Sequence, residues 1–390
     1  MQSAGAAGIF RAMEPPPFSR KNPFPARLSH TRTLTHTGSG KETLHFEVSI
    51  AGSGLAYEPG DSLGVFPSND PAAVDEILSA ADLSGDEAVD SPAGGTAPLR
   101  EVLTRHVTLR EPSRQMVAAL LDKCPGDEEL AELVDPEAQK VLDEWADGRE
   151  VIDILLAYPR ARFTAPELVK VLRKLQPRLY SIASSPKMHP EEIHLTVAIV
   201  RYETHGRMRH GLCSTFLADR AKGGTFPVFI HSAKHFRPPA DPAAPLVMVG
   251  PGTGIAPFRA FLQDREASGA AGRTWLFFGD RNRATDFLYE DEIGRWVERG
   301  VLGRLDTAFS RDQAHKIYVQ DRMMENAAEM WKWLEDGAYF YVCGDASRMA
   351  KDVDAALHRI VEQQGGRTAA EAGEYVEEMK KTKRYRKDVY

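Results

Sequence analysis

The first half of the chain changes twice between strand-like and helix-like spacing of its apolar residues. Between residues 26 and 66, polar and apolar positions alternate, as in LHFEV at 44–48, which is typical of antiparallel strands. Residues 71–175 then show helical spacing. Strand-like runs return at 179–183, 193–202 and 228–231. We predict an antiparallel β-barrel that is interrupted in sequence by a helical insertion.

The second half alternates short apolar runs with amphipathic stretches. The runs typical of buried strands are 246–250, 274–279, 305–309 and 338–343. Helical spacing separates them at 255–267, 287–299, 322–334 and 348–364. Strand–helix alternation of this kind predicts a parallel, doubly wound sheet with right-handed crossovers.

The predicted fold class is therefore multidomain, with an α+β unit followed by an α/β unit. Residues 1–23, rich in Ala, Gly and Pro, are interpreted as a flexible leader. Residues 24–240 are predicted to form the barrel, with its helical connecting insertion at about 71–175. Residues 241–390 are predicted to form the doubly wound domain.

A glycine-rich turn, GPGTG at 250–254, lies between the first apolar run of the second domain and its first helix. Three glycines allow close backbone approach, and the exposed N–H groups and positive helix end suit a pyrophosphate. The spacing matches neither G-x-G-x-x-G nor the Walker sequence. Alone, this turn is equally typical of a structural bend.

The other three strand ends of this domain also carry polar residues. They are Asp280-Arg281, Ser310-Arg311 and Cys343-Gly344-Asp345. Because ligands of doubly wound sheets bind at the carboxyl ends of the strands, we expect these groups to meet at one rim.

Ser310, Arg311, Lys316 and Tyr318 offer a hydroxyl, two cations and an aromatic ring within nine residues. This set suits a ribose 2′-phosphate and its adenine, so NADPH is favoured over NADH. The alternative is a solvated surface patch with Tyr318 partly buried.

Composition narrows the function classes. The formal net charge is −7, which removes the usual electrostatic reason to expect nucleic-acid binding. The three cysteines form no C-x-x-C pair, so the sequence shows neither a zinc nor a cluster pattern. The apolar runs are too short to span a bilayer. We expect a cytoplasmic protein without a membrane or nucleic-acid partner.

Seven motifs occur in an order that resembles the reductase half of NADPH-dependent sulfite reductase flavoproteins, within the diflavin and ferredoxin–NADP reductase group. The likeness covers about residues 24–390. The motifs are RLYS at 178–181, GLCS at 211–214, GPGTG at 250–254, SR at 310–311, KIYVQ at 316–320, YVCGD at 341–345 and RKDVY at 386–390.

The resemblance implies FAD as the bound flavin. It places Arg178 on the pyrophosphate, Tyr180 against the isoalloxazine and Ser181 near its N5, and each side chain suits its assigned contact. A surface ion pair for Arg178 and an ordinary strand aromatic for Tyr180 are the alternatives. The remaining implied FAD residues are Leu179, Thr196, Val197, Ala198, Tyr202, Gly211, Leu212, Cys213 and Ser214.

For hydride transfer the resemblance implies Ser181, Cys343 and Asp388, which would orient the nicotinamide against the flavin. A lone cysteine at a strand end is otherwise more often a small buried hydrophobe. Tyr390 would lie flat on the flavin and move aside for the nicotinamide; its alternative is a frayed end.

The resemblance also implies the residues that hold NADP. They are Gly252, Thr253, Ser310, Arg311, Lys316, Ile317, Tyr318, Val319, Gln320 and Asp352. For Asp352, an interaction with the helix dipole is the alternative. The family's FAD contacts within the helical insertion could not be placed.

Related flavoprotein subunits begin with an FMN-binding, flavodoxin-like domain, whereas only a short leader precedes the barrel in this sequence. We therefore expect the electron acceptor to be on another chain. Sulfite reductase hemoprotein, reached directly or through a separate flavodoxin-like carrier, is the expected partner. The alternatives are a general NADPH reductase of a flavodoxin, ferredoxin or cytochrome, and a flavin-binding assembly subunit without activity.

Overall fold

The first strands of the computed structural model pair around an apolar interior. They are β1 (Phe24–Thr33), β2 (Glu42–Ser49) and β3 (Ser62–Val65). Alternation in β2 is incomplete, because the polar His45 is only 1% exposed, like its apolar neighbours. The structure describes residues 18–270 and 272–390, so most of the predicted leader lies outside the described residues.

A helical segment follows and forms a core of its own. Its elements are α1 (Pro71–Ala81), β4 (Ala88–Asp90), β5 (Thr96–Pro98), α2 (Leu99–Arg105), α3 (Arg114–Lys123), α4 (Glu128–Val134), α5 (Gln139–Ala146), α6 (Val151–Ala157) and α7 (Ala165–Val171). Asp70 caps α1 by accepting from the Ala72 amide, and Ser113 caps α3 by accepting from the Met116 amide.

The chain then returns to the first sheet. The elements are β6 (Arg178–Ser181), β7 (Glu192–Ile199), β8 (Arg201–Thr204), β9 (Arg207–His210), α8 (Leu212–Thr215), a π-helical turn (Phe216–Arg220) and β10 (Thr225–His231). The run at 193–202, expected as one strand, is broken at Val200, and β8 pairs with β9 instead.

The strand order of this sheet is β6-β3-β10-β1-β2-β7, and every neighbouring pair is antiparallel. A single bridge between Ile182 and Leu195 joins the two edges and closes the sheet into a barrel. Phe46, Leu63 and Val228 are fully buried in its interior.

A short 3₁₀ turn (Lys234–Phe236) leads to the second sheet. Its elements are β11 (Leu246–Val249), a 3₁₀ turn (Gly252–Ile255), α9 (Ala256–Ser268), β12 (Thr274–Asp280), α10 (Arg283–Asp286), α11 (Glu290–Glu298), β13 (Arg304–Phe309), α12 (Val319–Glu325), α13 (Ala327–Glu335), β14 (Tyr339–Gly344), α14 (Met349–Gln364), α15 (Ala369–Lys381) and β15 (Tyr385–Val389).

These strands are all parallel, in the order β13-β12-β11-β14-β15. One apolar core packs α12 to α15 against one sheet face, and another packs α9 and α11 against the opposite face. This is a doubly wound sheet, so the predicted fold class is confirmed. The predicted domain bounds at 24–240 and 241–390 stay a prediction.

Two elements differ from the sequence-based expectation. The helix expected at 322–334 is two helices, because Asn326 interrupts it and turns its side-chain amide toward Asp306 (3.2 Å). The fifth strand, β15, was not expected, since its charged sequence lacks an apolar run. Within 18–270 and 272–390, none of the helices has the length and apolar character needed to cross a membrane.

Candidate active site

Three of the residues predicted for hydride transfer meet where the barrel contacts the parallel sheet. Cys343 on β14 and Asp388 on β15 are direct partners in the strand register. Ser181, the last residue of β6, donates its hydroxyl proton to Asp388 Oδ2 at 2.6 Å. The Cys343 sulfur lies 4.0 Å from the same carboxylate oxygen. The structure therefore brings together residues that are 207 positions apart in sequence.

The Cys343 thiol is fully buried. Burial raises its pKa well above the usual value, and the Asp388 carboxylate raises the pKa further, while the Ser181 hydroxyl opposes both effects. The sulfur is thus a neutral thiol at physiological pH. This state suits packing and orientation and does not suit nucleophilic attack.

Tyr390 lies beside this cluster, and its backbone is held on both sides. Its amide donates to the Gly344 carbonyl (3.1 Å), and its carbonyl accepts from the Ala346 amide (3.0 Å). Its hydroxyl is 2.9 Å from the Thr253 hydroxyl, while the residue remains 63% exposed. The ordered backbone and exposed ring are consistent with a stacking residue that can be displaced.

The glycines of the 250–254 turn have different structural roles. Gly252 has a left-handed φ of +56°, and a side chain there would lie 3.9 Å from Asp280 Oδ2 and 4.0 Å from Lys41 Nζ, which are ordinary contact distances. A side chain at Gly254 would collide with the Cys343 carbonyl, and one at Gly250 would approach the Phe258 ring to 2.6 Å. Two of the three glycines are thus required by packing of the turn on the sheet, whereas at Gly252 it is the left-handed backbone that favours glycine.

The four strand ends converge on a cavity of about 440 Å³. Residues predicted to hold NADP that line it are Gly252, Ser310, Tyr318, Val319, Gln320 and Asp352. Asp280, Arg281 and Asp345, predicted from the strand ends, line it too. A cavity at the carboxyl edge of a doubly wound sheet is the expected place for a nucleotide.

Four residues expected at this cavity lie outside its lining. The Thr253 hydroxyl lies 2.9 Å from the Tyr390 hydroxyl instead. Ile317 packs against the apolar core on one sheet face. Arg311 and Lys316 are exposed beside the rim. Neither cation forms an ion pair within residues 18–270 and 272–390, so both remain available to an anion.

Lys41 was not singled out from the sequence, yet it reaches the cavity from the barrel. It lies on the loop between β1 and β2, and its Nζ is 2.5 Å from Asp280 Oδ2 and close to Gly252. Burial raises the pKa of Asp280, and the Lys41 charge opposes that rise. The only signal that the sequence offers near Lys41 is the adjacent glycine-containing loop, GSG at 38–40.

On the barrel, Arg178 is exposed and forms no ion pair with any residue that the structure describes. The half-buried Tyr180 has its hydroxyl beside the Cys213 thiol of the 211–214 turn. Burial raises the pKa of Tyr180 well above its usual value and that of Cys213 to about 12. Arg178, Tyr180 and this turn thus form one surface.

The turn itself packs on the end of β7. The Gly211 amide donates to the Val200 carbonyl (2.7 Å), and a side chain at Gly211 would approach Val200 to 2.6 Å. Ser214 accepts from the Val200 amide at 3.2 Å. Glycine is therefore required here by close packing, and the short helix α8 starts directly after it.

The β7 residues predicted to contact FAD do not direct their side chains to one place. Val197 lies in the barrel core, whereas the Thr196 hydroxyl is 2.7 Å from the Tyr289 hydroxyl in the second domain. Ala198 is exposed. However, β7 is an edge strand, and among the described residues only the first half of its free side, at Glu192 and His194, has hydrogen-bond partners. Backbone groups on this side suit a ligand better than the side chains do.

Tyr202 is exposed on β8 and lies 3.4 Å from Arg110 of the helical segment. Arg110 also hydrogen-bonds the His210 carbonyl, just before the 211–214 turn. Arg110 and Tyr202 border a cavity of about 520 Å³ between the helical segment and β8. Arg110 is therefore the candidate contact from the insertion that the sequence could not place.

Three histidines of the barrel lie close together and form two overlapping groups with nearby glutamates. Within each group, potential metal-ligating atoms lie within 4.8 Å of one another. The groups are His45, Glu47 and His194, and His189, Glu192 and His194. Arg259 Nη1 lies 3.2 Å from His194 Nδ1. Since a guanidinium only donates, Nδ1 accepts and the neutral ring carries its proton on Nε2. Burial lowers the His194 pKa to about 2, so the ring is neutral. In this arrangement Nε2 offers a proton rather than a lone pair.

Comparison with known proteins agrees with this geometry. The model of the FAD binding domain family matches residues 16–216, more than half of the chain. The chain belongs to this family. The model of the oxidoreductase NAD-binding domain matches residues 248–355, which include the cavity at the sheet edge. The cofactor classes expected from the sequence are thereby confirmed as an FAD-binding and an NAD(P)-binding domain.

The chain is also similar to curated proteins named "Sulfite reductase [NADPH] flavoprotein alpha-component". The protein from Bacillus subtilis is 45% identical over 378 residues, covering 96% of this chain and 62% of that protein. The one from Vibrio cholerae is 48% identical over 374 residues, covering 96% and 60%. The one from Serratia proteamaculans is 44% identical over 389 residues, covering 99% and 64%. The expected resemblance is confirmed, and the chain spans about 60% of the length of these relatives.

Proposed function

We propose that this chain is an NADPH-dependent flavoprotein reductase, which takes hydride from NADPH onto FAD and passes the electrons to a partner. The observation that supports this most strongly is the cluster of Ser181, Cys343 and Asp388. It lies where the FAD-binding barrel meets the rim of the nucleotide sheet.

The barrel surface fits an FAD molecule. Arg178, which has no ion pair among the described residues, presents its guanidinium for the pyrophosphate. The edge of β7 presents backbone groups, and Tyr180 presents an aromatic ring. Bound there, FAD would supply the hydride acceptor. Ser181 would lie at the reacting edge, with its hydroxyl oriented by Asp388.

The rim of the sheet fits NADPH. Ser310, Arg311 and Lys316 supply a hydroxyl and two cations for the 2′-phosphate, and Tyr318, 44% exposed, supplies a ring for the adenine. The Tyr390 ring would occupy the nicotinamide position until the nucleotide displaces it. Lys41 would place a positive charge beside the turn at Gly252.

Within this proposal the residues act mainly by orientation. Asp388 holds the Ser181 hydroxyl, and the neutral Cys343 thiol fills the space behind the reacting atoms without competing for hydride. Because Cys343 is buried and Ser181 and Asp388 are partly buried, the cluster is shielded from much of the surrounding water.

As the acceptor we propose sulfite reductase hemoprotein, reached directly or through a flavodoxin-like carrier. The names of the relatives support the sulfite reductase system. A cytoplasmic location is consistent with Cys124, Cys213 and Cys343, which are all free thiols.

The first experiment measures FAD content and anaerobic NADPH oxidation with ferricyanide as acceptor. We expect FAD rather than FMN on acid extraction, and turnover that falls at least about tenfold in Asp388→Asn, since an interaction worth roughly 1.4 kcal/mol or more is lost. Asp122→Asn, at an exposed position on α3, is the control. Recovery of FMN alone, or full activity of Asp388→Asn, would contradict the proposal.

The second experiment identifies the acceptor. Purified chain, NADPH and sulfite are combined with the hemoprotein, with and without a flavodoxin-like carrier, and sulfide is measured. We expect sulfide only when the hemoprotein is present. If the chain reduces a cytochrome or a flavodoxin-dependent enzyme but never the hemoprotein, the hemoprotein is not its acceptor. The chain would then be a general NADPH reductase.

A further inference from the structure

Helix α9 joins the nucleotide turn to the barrel segment that follows Ser181. Three α9 side chains face this segment, spaced four and one residues apart. Arg259 donates from Nη1 to the Ala183 carbonyl at 2.6 Å. Gln263 accepts from the Ser185 amide and Asp264 from the Ser185 hydroxyl, both at 2.9 Å. The helix is therefore hydrogen-bonded to the barrel along one face.

Arg259 is the most constrained member of this contact and is only 5% exposed. Its Nε donates to Glu292 Oε2 (2.7 Å), and its guanidinium carbon lies 4.8 Å from the centre of the Tyr289 ring. Its Nη1 also reaches His194 Nδ1. A buried charge is tolerated only with such partners, and a planar guanidinium held by several of them has a fixed orientation.

The location of Arg259 connects the two halves of the candidate active site. Ala183 is two residues from Ser181, the residue that meets Asp388. Toward the other end, α9 begins directly after the 3₁₀ turn at Gly252–Ile255, where Thr253 contacts Tyr390. A short path of covalent and hydrogen bonds thus runs from the nucleotide turn through Arg259 to Ser181.

We infer that Arg259 is a positioning residue, which sets the separation between the nicotinamide and the flavin through the Ala183 carbonyl. This inference rests on the proposed function. Arg259 contacts neither Ser181 nor the nucleotide cavity in the described structure, so it acts through the backbone. Because a misplacement of about 1 Å can cost roughly a hundredfold in rate, the loss of one such contact is measurable.

The test compares Arg259→Gln with Lys187→Met. Lys187 pairs with Asp264 across the same contact (2.9 Å) but is half exposed and further along the chain from Ser181. For each variant, NADPH-driven flavin bleaching is measured by stopped flow, the Kd of 2′,5′-ADP by calorimetry, and amide hydrogen exchange in residues 182–187 by mass spectrometry.

In Arg259→Gln we expect bleaching to slow at least about tenfold at full FAD occupancy, with the Kd of 2′,5′-ADP unchanged and faster exchange in 182–187. Lys187→Met should match the parent rate, and Arg259→Lys should recover part of it. A purely structural role predicts instead that FAD retention and 2′,5′-ADP binding fall together.

Full bleaching rate in folded Arg259→Gln, or equal slowing in Lys187→Met, would overturn the inference. Should Arg259→Gln fail to fold, Glu292→Gln replaces it: the guanidinium stays while its carboxylate anchor is removed, and we expect a smaller slowing. A parent protein that is not bleached by NADPH contradicts the proposed function instead. In that case, if amide hydrogen exchange in residues 182–187 is the same in Arg259→Gln as in the parent, the proposed control of this segment by Arg259 is still contradicted.

Discussion

The helical segment and the junction between the barrel and the parallel sheet are stabilised in opposite ways. The helical segment buries apolar residues such as Val102, Leu103 and Leu120 in its core, whereas ion pairs such as Arg100–Asp75 lie on its exposed surface. The junction buries polar and charged groups instead. These are His45, His194, Thr196 and Arg259.

This difference means that the helical segment contributes mainly to stability, whereas the junction mainly fixes the geometry of the candidate site. Apolar contacts are non-directional, so many arrangements of a helical core have similar free energies. Hydrogen bonds and ion pairs require defined distances and angles, and a buried polar group without a partner is costly. The junction, where two cofactors would have to meet, therefore contains the directional interactions.

The largest effect is expected in the helical segment. Leu120→Ala should lower the free energy of unfolding by about 2–5 kcal/mol, because Leu120 is completely buried and its removal leaves a cavity. Urea unfolding measures this, with the exposed Leu156→Ala as control. The rate of flavin bleaching should stay at the parent value, and a parallel loss of rate would contradict the separation of stability from geometry.

A smaller effect, on binding rather than stability, is expected at the rim. Arg311→Ala should weaken NADP⁺ binding by roughly 1.5–3 kcal/mol, about tenfold to a hundredfold, because a charged contact to the 2′-phosphate is lost. Calorimetry measures it. The binding of NADH should hardly change, and Arg299→Ala, which removes an exposed cation directly after α11, serves as control. Equal weakening for both nucleotides would show that Arg311 does not recognise the 2′-phosphate.

Lowering the pH should reduce the contribution of the junction to the free energy of unfolding. His194 has a folded-state pKa of about 2, below the value of about 6.5 in an unfolded chain, so its contribution to stability is present above pH 6.5 and is lost as the pH falls. Between pH 7 and 5.5 the parent should lose about 1 kcal/mol more than His194→Gln in urea unfolding. The same acid sensitivity in His194→Gln would exclude this origin.

The smallest effect is expected for Tyr390. In Tyr390→Ala the ring no longer competes with the nicotinamide, so NADP⁺ should bind several-fold more tightly, a gain of roughly 1 kcal/mol, and the use of NADH should rise. Tyr390→Phe keeps the ring and loses only the Thr253 hydrogen bond, so it should resemble the parent. Unchanged binding and unchanged flavin spectra in Tyr390→Ala would mean that the ring does not cover the flavin.

The sequence predicted the fold class because both sheets leave a periodic signal in their apolar residues. It missed β15, whose three consecutive charged residues carry no such signal, and the break at Asn326, which depends on a contact with Asp306. The buried polar face of β2 was also unexpected, since the group that covers His45 is Tyr289, 244 residues further along the chain.

The candidate site was predictable to the extent that it lies at strand ends or within contiguous motifs. The strand ends located the cavity, and the motif order located Ser181, Cys343 and Asp388. Lys41, Arg110 and Arg259 were not found, because each acts across a domain or insertion boundary and resembles an ordinary surface cation in sequence. Only the fold shows which distant group each one contacts: a carboxylate for Lys41 and a backbone carbonyl for Arg110 and Arg259.

The free edge of β7 has a consequence for handling the protein without its flavin. An unpaired strand edge can add a strand from a second molecule, and proteins usually cover such edges to prevent aggregation. Here the barrel seam is closed by one bridge, between Ile182 and Leu195. If flavin covers the remaining edge, it also prevents this edge from pairing with a second molecule. Protein without flavin should then self-associate at lower concentration than the flavin-loaded protein.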